Sequence, residues 1–171
     1  QISRHIRYRP IVLTQEKCNV ESYPIDPLYT TEVLSETQFF INRLIRKFLG
    51  QYPYYSKIIQ KESAKLLHAH FGYEGCRVIW AKRASGIPLI TSFYGADATE
   101  YARYPFWLRR YKKLFEEGEL FLVEGSGMAQ RLLDLGCQSS KIKVQRLGVD
   151  VESIKYRERE FTGRTRFLIC A

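Results

Sequence analysis

A chain of 171 residues, 45% hydrophobic and 26% charged, is long enough to bury one good core and too apolar to stay disordered, so a single main domain is expected. Its formal net charge of +9 serves solubility or an anionic partner: phosphate, nucleic acid or an anionic membrane surface. No apolar run approaches the roughly 18 residues that a bilayer span needs, and four scattered cysteines without a C-x-x-C pair point away from a secreted disulfide scaffold and towards a reduced, cytosolic protein.

Residues 1–7 have neither the apolar core of a signal peptide nor an initiator Met, so the chain reads as processed or cut from something longer. Residues 1–8 read as the tail of a helix. Residues 9–14 are rich in β-branched and apolar side chains and read as a strand. Residues 15–27, polar and carrying Pro24 and Pro27, read as a loop. Residues 31–49 form a helix in which Val33, Leu34, Phe40, Ile41, Leu44, Ile45 and Phe48 recur near the helical period, with Gly50 as its stop. Arg43, Arg46 and Lys47 make it amphipathic; it is expected to pack on a sheet rather than to lie on a membrane. Pro53 opens a second helix, running through residue 65.

Residues 66–97 organise the chain. Residues 66–71 read as a strand, 73–85 as a helix stopped by Gly86 and Pro88, and 89–93 as a strand buried on both faces. This is the strand–turn–helix–strand–turn unit of a parallel α/β sheet. In such sheets ligands sit beyond the carboxyl ends of the strands, where His70, Gly72, Tyr94, Gly95 and Asp97 fall. Residues 98–104 read as a loop and 105–117 as a helix with an apolar stripe of Trp107, Leu108, Tyr111, Leu114 and Phe115. Arg103, Arg109, Arg110, Lys112 and Lys113 give it a dense positive face. A strand over 120–124, a Gly125-Ser126-Gly127 turn, a helix over 128–135 closed by Gly136, and a strand over 141–147 follow. Residues 151–164 read as a linker and 166–171 as the start of a further strand.

His68 and His70 share one face of a strand because side chains alternate. Two such histidines can bind a metal, but no third ligand is evident; the pair is read as structural or substrate-facing, and no metal site is assigned. A carboxylate such as Asp97 in a turn either holds the loop through backbone N–H groups or bonds a substrate hydroxyl. Gly125-Ser126-Gly127 opening a helix can cradle an anion, although neither G-x-G-x-x-G nor a P-loop occurs.

His68-Ala69-His70-Phe71-Gly72, residues 86–90, Phe93-Tyr94-Gly95-Ala96-Asp97, residues 120–124 with Met128 and Leu132, Gly136, residues 141–144 and Leu147-Gly148-Val149-Asp150 follow one another in an order and spacing that resembles the N-terminal domain of GT-B retaining glycosyltransferases of the group 1 (GT4-like) family. The resemblance is good over residues 66–150 and loose over 9–65. It implies an α/β fold: a Rossmann-like parallel sheet flanked by helices, one half of a GT-B fold. Residues 1–150 would be the acceptor-side domain, lacking its first strand, and residues 151–171 the interdomain linker with the first strand of a missing donor-binding domain.

By the same resemblance, the intact protein would move a sugar from a nucleotide-diphosphate sugar to a sugar or lipid-linked acceptor with retention, as a hexosyltransferase-type enzyme. This fragment alone would be inactive. Asp97 and Tyr94 would be catalytic, His70, Gly72, Gly95, Gly125 and Ser126 would line the cleft, and no cofactor is implied. Many family members carry His-Gly-x-Asp where this chain has Tyr94-Gly95-Ala96-Asp97. A phenol, with a reference pKa of about 10, is a poor base at neutral pH. Arg43, Arg46, Lys47, Arg109, Arg110, Lys112 and Lys113 would meet an anionic surface, placing the protein in the cytoplasm and at the inner membrane face, with nucleic acid a less fitting partner. The rival readings are a non-enzymatic Rossmann-like module binding polyanions or a partner, and a GT-B nucleotide-sugar epimerase.

Overall fold

The computed structural model describes residues 7–18, 20–22, 24–49, 52–148, 150–156, 158 and 163. Of the helix tail expected over residues 1–8, residues 1–6 lie outside the described residues and residues 7 and 8 are not helical. The Gly50 stop, the strand over 166–171 and part of the linker over 151–164 also lie outside the described residues.

Among the described residues, two parallel sheets carry the fold. A short pair, β1 (Val12–Thr14) and β2 (Leu28–Thr30), precedes α1 (Glu36–Leu49) and α2 (Pro53–Lys61). The main sheet then alternates strands and helices: β3 (Leu67–His70), α3 (Gly72–Ser85), β4 (Leu89–Phe93), the short α4 (Ala96–Thr99), α5 (Pro105–Glu117), β5 (Leu120–Val123), α6 (Ser126–Asp134) and β6 (Ile142–Val144). Its strands lie in the order β3-β4-β5-β6, all parallel. The α/β class and the parallel sheet are as expected. Several elements differ. The helix expected over 31–49 starts only at Glu36, after a 3₁₀ turn over Thr31–Val33, and the strand expected over 141–147 is confined to Ile142–Val144. β2 has only three residues, too few to show a period. Residues 98–104 are not a loop but hold the end of α4 and a 3₁₀ turn, Tyr101–Arg103. The second helix ends at Lys61, and Ser63 follows with φ 49°.

Register assigns the side chains to faces. Ala69, Thr91 and Phe121 sit across from one another, as do Phe93 and Val123, and all five are buried. This face receives α3, α5 and α6. Phe93 is fully buried, with Tyr111, Phe115 and Phe121 around it at ring-centroid distances of 5.7, 6.2 and 6.3 Å. Burying a ring of that size contributes about 2–3 kcal/mol. The expected stripe of α5 is this contact: Tyr111, Leu114 and Phe115 are buried, and Trp107 and Leu108 pack at its margin. The lysine of Lys141 closes the end of α5, its Nζ donating to the carbonyls of Phe115 and Glu116 at 2.8 Å, where the helix dipole favours a cation.

Helix α3 lies unusually close to β4. A Cβ at Gly72 would run into the Phe93 ring, and one at Gly75 would lie 2.7 Å from Thr91 Oγ1. Gly86, at φ 68°, terminates the helix with its N–H on the Lys82 carbonyl.

Helix α1 departs from expectation. Ser35 and Gln38 exchange long capping contacts of 3.4 Å at its start, and Ile45 and Asn42 turn inward. Phe40, Ile41, Leu44 and Phe48, however, are 59, 48, 38 and 74% exposed. The stripe that its period marked as a packing face is open to solvent. Glu62, just past α2, ties the short strand pair to the helices by accepting from Tyr29 Oη and pairing with Arg9 at 3.2 Å.

Candidate functional site

Because the four strands of the main sheet are parallel, their carboxyl ends form one edge. His70, Tyr94 and Gly125 follow or end three adjacent strands there. At β3 the two imidazoles stack with centroids 4.5 Å apart. His68 Nε2 bonds Ser92 Oγ at 2.8 Å and His70 Nδ1 bonds Tyr94 Oη at 2.6 Å. Burial opposes protonation of both rings, and at His68 the neighbouring His70 adds to it. Among the described residues, no group of three or more His, Cys, Asp or Glu side chains gathers to hold a metal.

Asp97 lies behind this pair and is 1% exposed. Its Oδ2 accepts the Gly72 N–H at 2.9 Å; its Oδ1 accepts the N–H groups of Gly95 at 2.9 Å and Tyr94 at 3.1 Å. Its own carbonyl accepts the buried Tyr111 hydroxyl at 2.6 Å. Of the two roles open to a carboxylate in this turn, these are the contacts of the loop-holding one. Gly95 supplies the backbone shape, φ 147° and ψ −87°, which a side chain would oppose. Gly72 is buried against Phe93 rather than placed in a turn, and is the first residue of α3.

The structure thus joins His70 to Tyr94, and Gly72 and Gly95 to Asp97. Gly125 and Ser126 begin α6 at the end of β5, two strands from β3, and take no part in either cluster. On α5, Arg109, Lys112 and Lys113 are exposed. Arg110 instead lies over Phe106 and Trp107, 4.4 and 5.7 Å from their centroids. On α1, Arg43 and Lys47 are exposed and Arg46 reaches Gln15 Oε1 at 3.3 Å.

Sequence reasoning missed Phe71. It separates His70 from Gly72 with φ 74° and ψ 141°, and it is 40% exposed. Its ring contacts Tyr73 and Tyr94, and Tyr101 stands behind Tyr73. The dense aromatics of residues 101–107 were the available signal.

The model of the family described as Glycosyltransferase Family 4 matches residues 7–153. The putative colanic acid biosynthesis glycosyltransferase WcaL of Salmonella typhimurium is 32% identical over 112 residues, 63% of this chain and 27% of that protein. The amylovoran biosynthesis glycosyltransferase AmsK of Erwinia amylovora is 27% identical over 106 residues, 57% of this chain and 25% of that protein. The chain thus spans about a quarter of the length of these relatives. Among solved structures, Anabaena Alr3699/HepE in complex with UDP and glucose shares the fold, with a TM-score of 0.62 at 14% identity over 83% of this chain and 37% of that one. With its model matching this much of the sequence, the chain belongs to Glycosyltransferase Family 4.

Proposed function

We propose that this chain is the acceptor-side half of a glycosyltransferase that moves a sugar from a nucleotide-diphosphate donor to an acceptor with retention. The carrying observation is the knot at Asp97, which fixes two loops of a Family 4 sheet and sets His70 and Tyr94 at the strand ends. In this reading Tyr94 and His70 bond acceptor hydroxyls, Asp97 positions the loop that carries Tyr94, and Gly125 and Ser126 line the same cleft. A second domain supplies the donor site, and this chain alone does not catalyse transfer. The UDP and glucose of the structural neighbour support a nucleotide-sugar donor.

The test is mass-spectrometric transfer by the full protein containing this chain, offered UDP-, GDP- and ADP-sugars with a saccharide or lipid-linked acceptor, and the anomeric configuration of the product by NMR. Donor consumption with a retained anomer is expected. An inverted anomer removes retention. A donor sugar altered without an acceptor makes the protein an epimerase. Thermal stabilisation by a polyanion alone makes it a binding module.

A second component of this reading is contact with an anionic bilayer. It is favoured by the exposed Phe40, Ile41, Leu44 and Phe48 of α1 beside Arg43 and Lys47. Apolar side chains flanked by cations suit a helix lying in a lipid interface. Among the described residues no helix is long and apolar enough to cross a membrane.

A further inference from the structure

Phe71 holds a backbone conformation, φ 74° with ψ 141°, that glycine adopts freely and a side chain rarely does. The geometry is enforced from several sides. The Phe71 N–H donates to the Ser92 carbonyl at 2.9 Å, its own carbonyl accepts from Glu74 and Gly75 at 3.1 Å, and the next N–H, of Gly72, is held by Asp97. The strained residue is nonetheless a phenylalanine whose ring is 40% exposed. Burial does not account for keeping a ring there.

That ring opens a continuous aromatic ledge. Phe71 stacks on Tyr73 at 5.4 Å and 8°, and meets Tyr94 edge-on at 5.1 Å. Tyr73 stacks on Tyr101 at 5.1 Å, and Tyr101 meets Trp107 at 5.6 Å. The ledge runs from the end of β3 to the start of α5, and the His70–Tyr94 pair adjoins it. Phe71, Tyr101 and the Arg77 guanidinium, which lies 5.3 Å from the Tyr73 centroid, pack around Tyr73, so the face open to a ligand is that of Phe71. A flat π face beside hydroxyl and imidazole groups is complementary to a pyranose, which offers C–H groups on one face and hydroxyls at its rim.

We propose that the exposed ring of Phe71, backed by Tyr73 and Tyr101 and flanked by Tyr94 and His70, is the face on which a sugar ring of the acceptor stacks, with Phe71 as the specificity-determining residue of that subsite. This rests on the proposed transferase function for its choice of a saccharide ligand. The backbone strain at Phe71 is retained because the ring has to stand out at this point of the loop.

The test is proton saturation-transfer NMR on the chain with cellobiose, lactose and maltose as probes, for the native sequence, Phe71→Gly and Phe71→Leu. At least one disaccharide is expected to be saturated at the C–H protons of one ring face. Phe71→Gly is expected to keep or raise the melting temperature while weakening binding about tenfold, the scale of one aromatic contact. Phe71→Leu, which keeps the strain and an apolar side chain, is expected to lose binding equally. The proposal is overturned if no disaccharide is saturated, if both variants bind like the native chain, or if Phe71→Leu binds normally and Phe71→Gly unfolds. Transfer assays on the full protein separate the two ideas. Transfer with an acceptor KM unchanged in Phe71→Leu removes the ledge and keeps the transferase. Saccharide binding lost in both variants of a protein that transfers nothing keeps the ledge and removes the transferase.

Discussion

The Oδ2 of Asp97 accepts the N–H of Gly72 at 2.9 Å across 25 residues of sequence. This bond fastens the first turn of α3 to the loop after β4, while the other oxygen fastens the loop to itself through Tyr94 and Gly95. Asp97→Asn replaces one of these oxygens with an NH₂ group that faces a backbone donor. A buried donor left without an acceptor costs about 1–3 kcal/mol, and bonds to a charged group lie at the upper end. The variant is expected to lose about 2–3 kcal/mol in urea unfolding, and Asp97→Ala more. Unchanged stability in Asp97→Asn would show that the carboxylate is not the tie described.

The approach of α3 to β4 makes a graded prediction at three glycines. Gly72→Ala drives a methyl into the Phe93 ring, which the fully buried core around it leaves little room to move. Gly75→Ala presses on Thr91 Oγ1 at 2.7 Å and Leu114 Cδ2 at 3.0 Å. Overpacking of this kind costs about 1–3 kcal/mol, so Gly72→Ala is expected near or above the top of that range and Gly75→Ala below it. Gly86 has open space around its Cα and φ 68°, so Gly86→Ala is expected to cost only about 1 kcal/mol of backbone strain. A thermal or urea series in which Gly86→Ala is the worst of the three would contradict the packing account.

What could be read from sequence was what repeats locally. The stripe of α5 follows the helical period, and Tyr111, Leu114 and Phe115 are buried as expected. The alternation in β3 separates His68 and His70 from buried Ala69. Periodicity does not reveal what covers a face, and so Phe40, Leu44 and Phe48 of α1 were expected to pack but are exposed. The candidate site was legible as a set of strand ends, because parallel strands put their carboxyl termini on one edge. Its wiring was not. The bond from Asp97 to Gly72 links residues 25 apart, and Phe71 carries a positive φ with no glycine to announce it.

The histidine pair sets a pH dependence. Burial lowers the folded-state pKa of His68 and His70 below the ordinary value of 6.5, and at His68 the adjacent imidazole lowers it further. A depressed folded-state value means that protonation favours the unfolded chain. The pair's contribution to stability is therefore complete above about pH 6.5 and is lost as pH falls through the lower folded-state values. Glu117, whose pKa is lowered by its hydrogen bonds from Arg83, is held below the ordinary carboxylate range and so further from that window. Urea midpoints are expected to fall between about pH 6.5 and 5, and the fall is expected to flatten in His68→Gln/His70→Gln. A native profile that is flat or rises on acidification would mean that the imidazoles do not resist protonation.

Helix α1 offers the last prediction, on lipid. Arg43 and Lys47 are exposed beside Phe40, Leu44 and Phe48, so apolar and cationic groups can reach a bilayer surface together. A basic residue near an anionic surface contributes about 1 kcal/mol. Arg43→Gln/Lys47→Gln is therefore expected to weaken co-sedimentation with phosphatidylserine-containing vesicles about thirtyfold. Phe40→Ser/Phe48→Ser is expected to weaken binding to neutral and anionic vesicles alike. Neither pair is expected to move the melting temperature by more than a degree or two, because exposed side chains contribute little to folding. The two losses differ in kind, and salt distinguishes them: raising the ionic strength shortens the Debye length and mimics the charge variant only. Native protein that binds phosphatidylserine vesicles no better than neutral ones would remove the anionic surface from this account. Native protein that binds neither kind of vesicle would remove lipid altogether as the cover of the exposed α1 stripe.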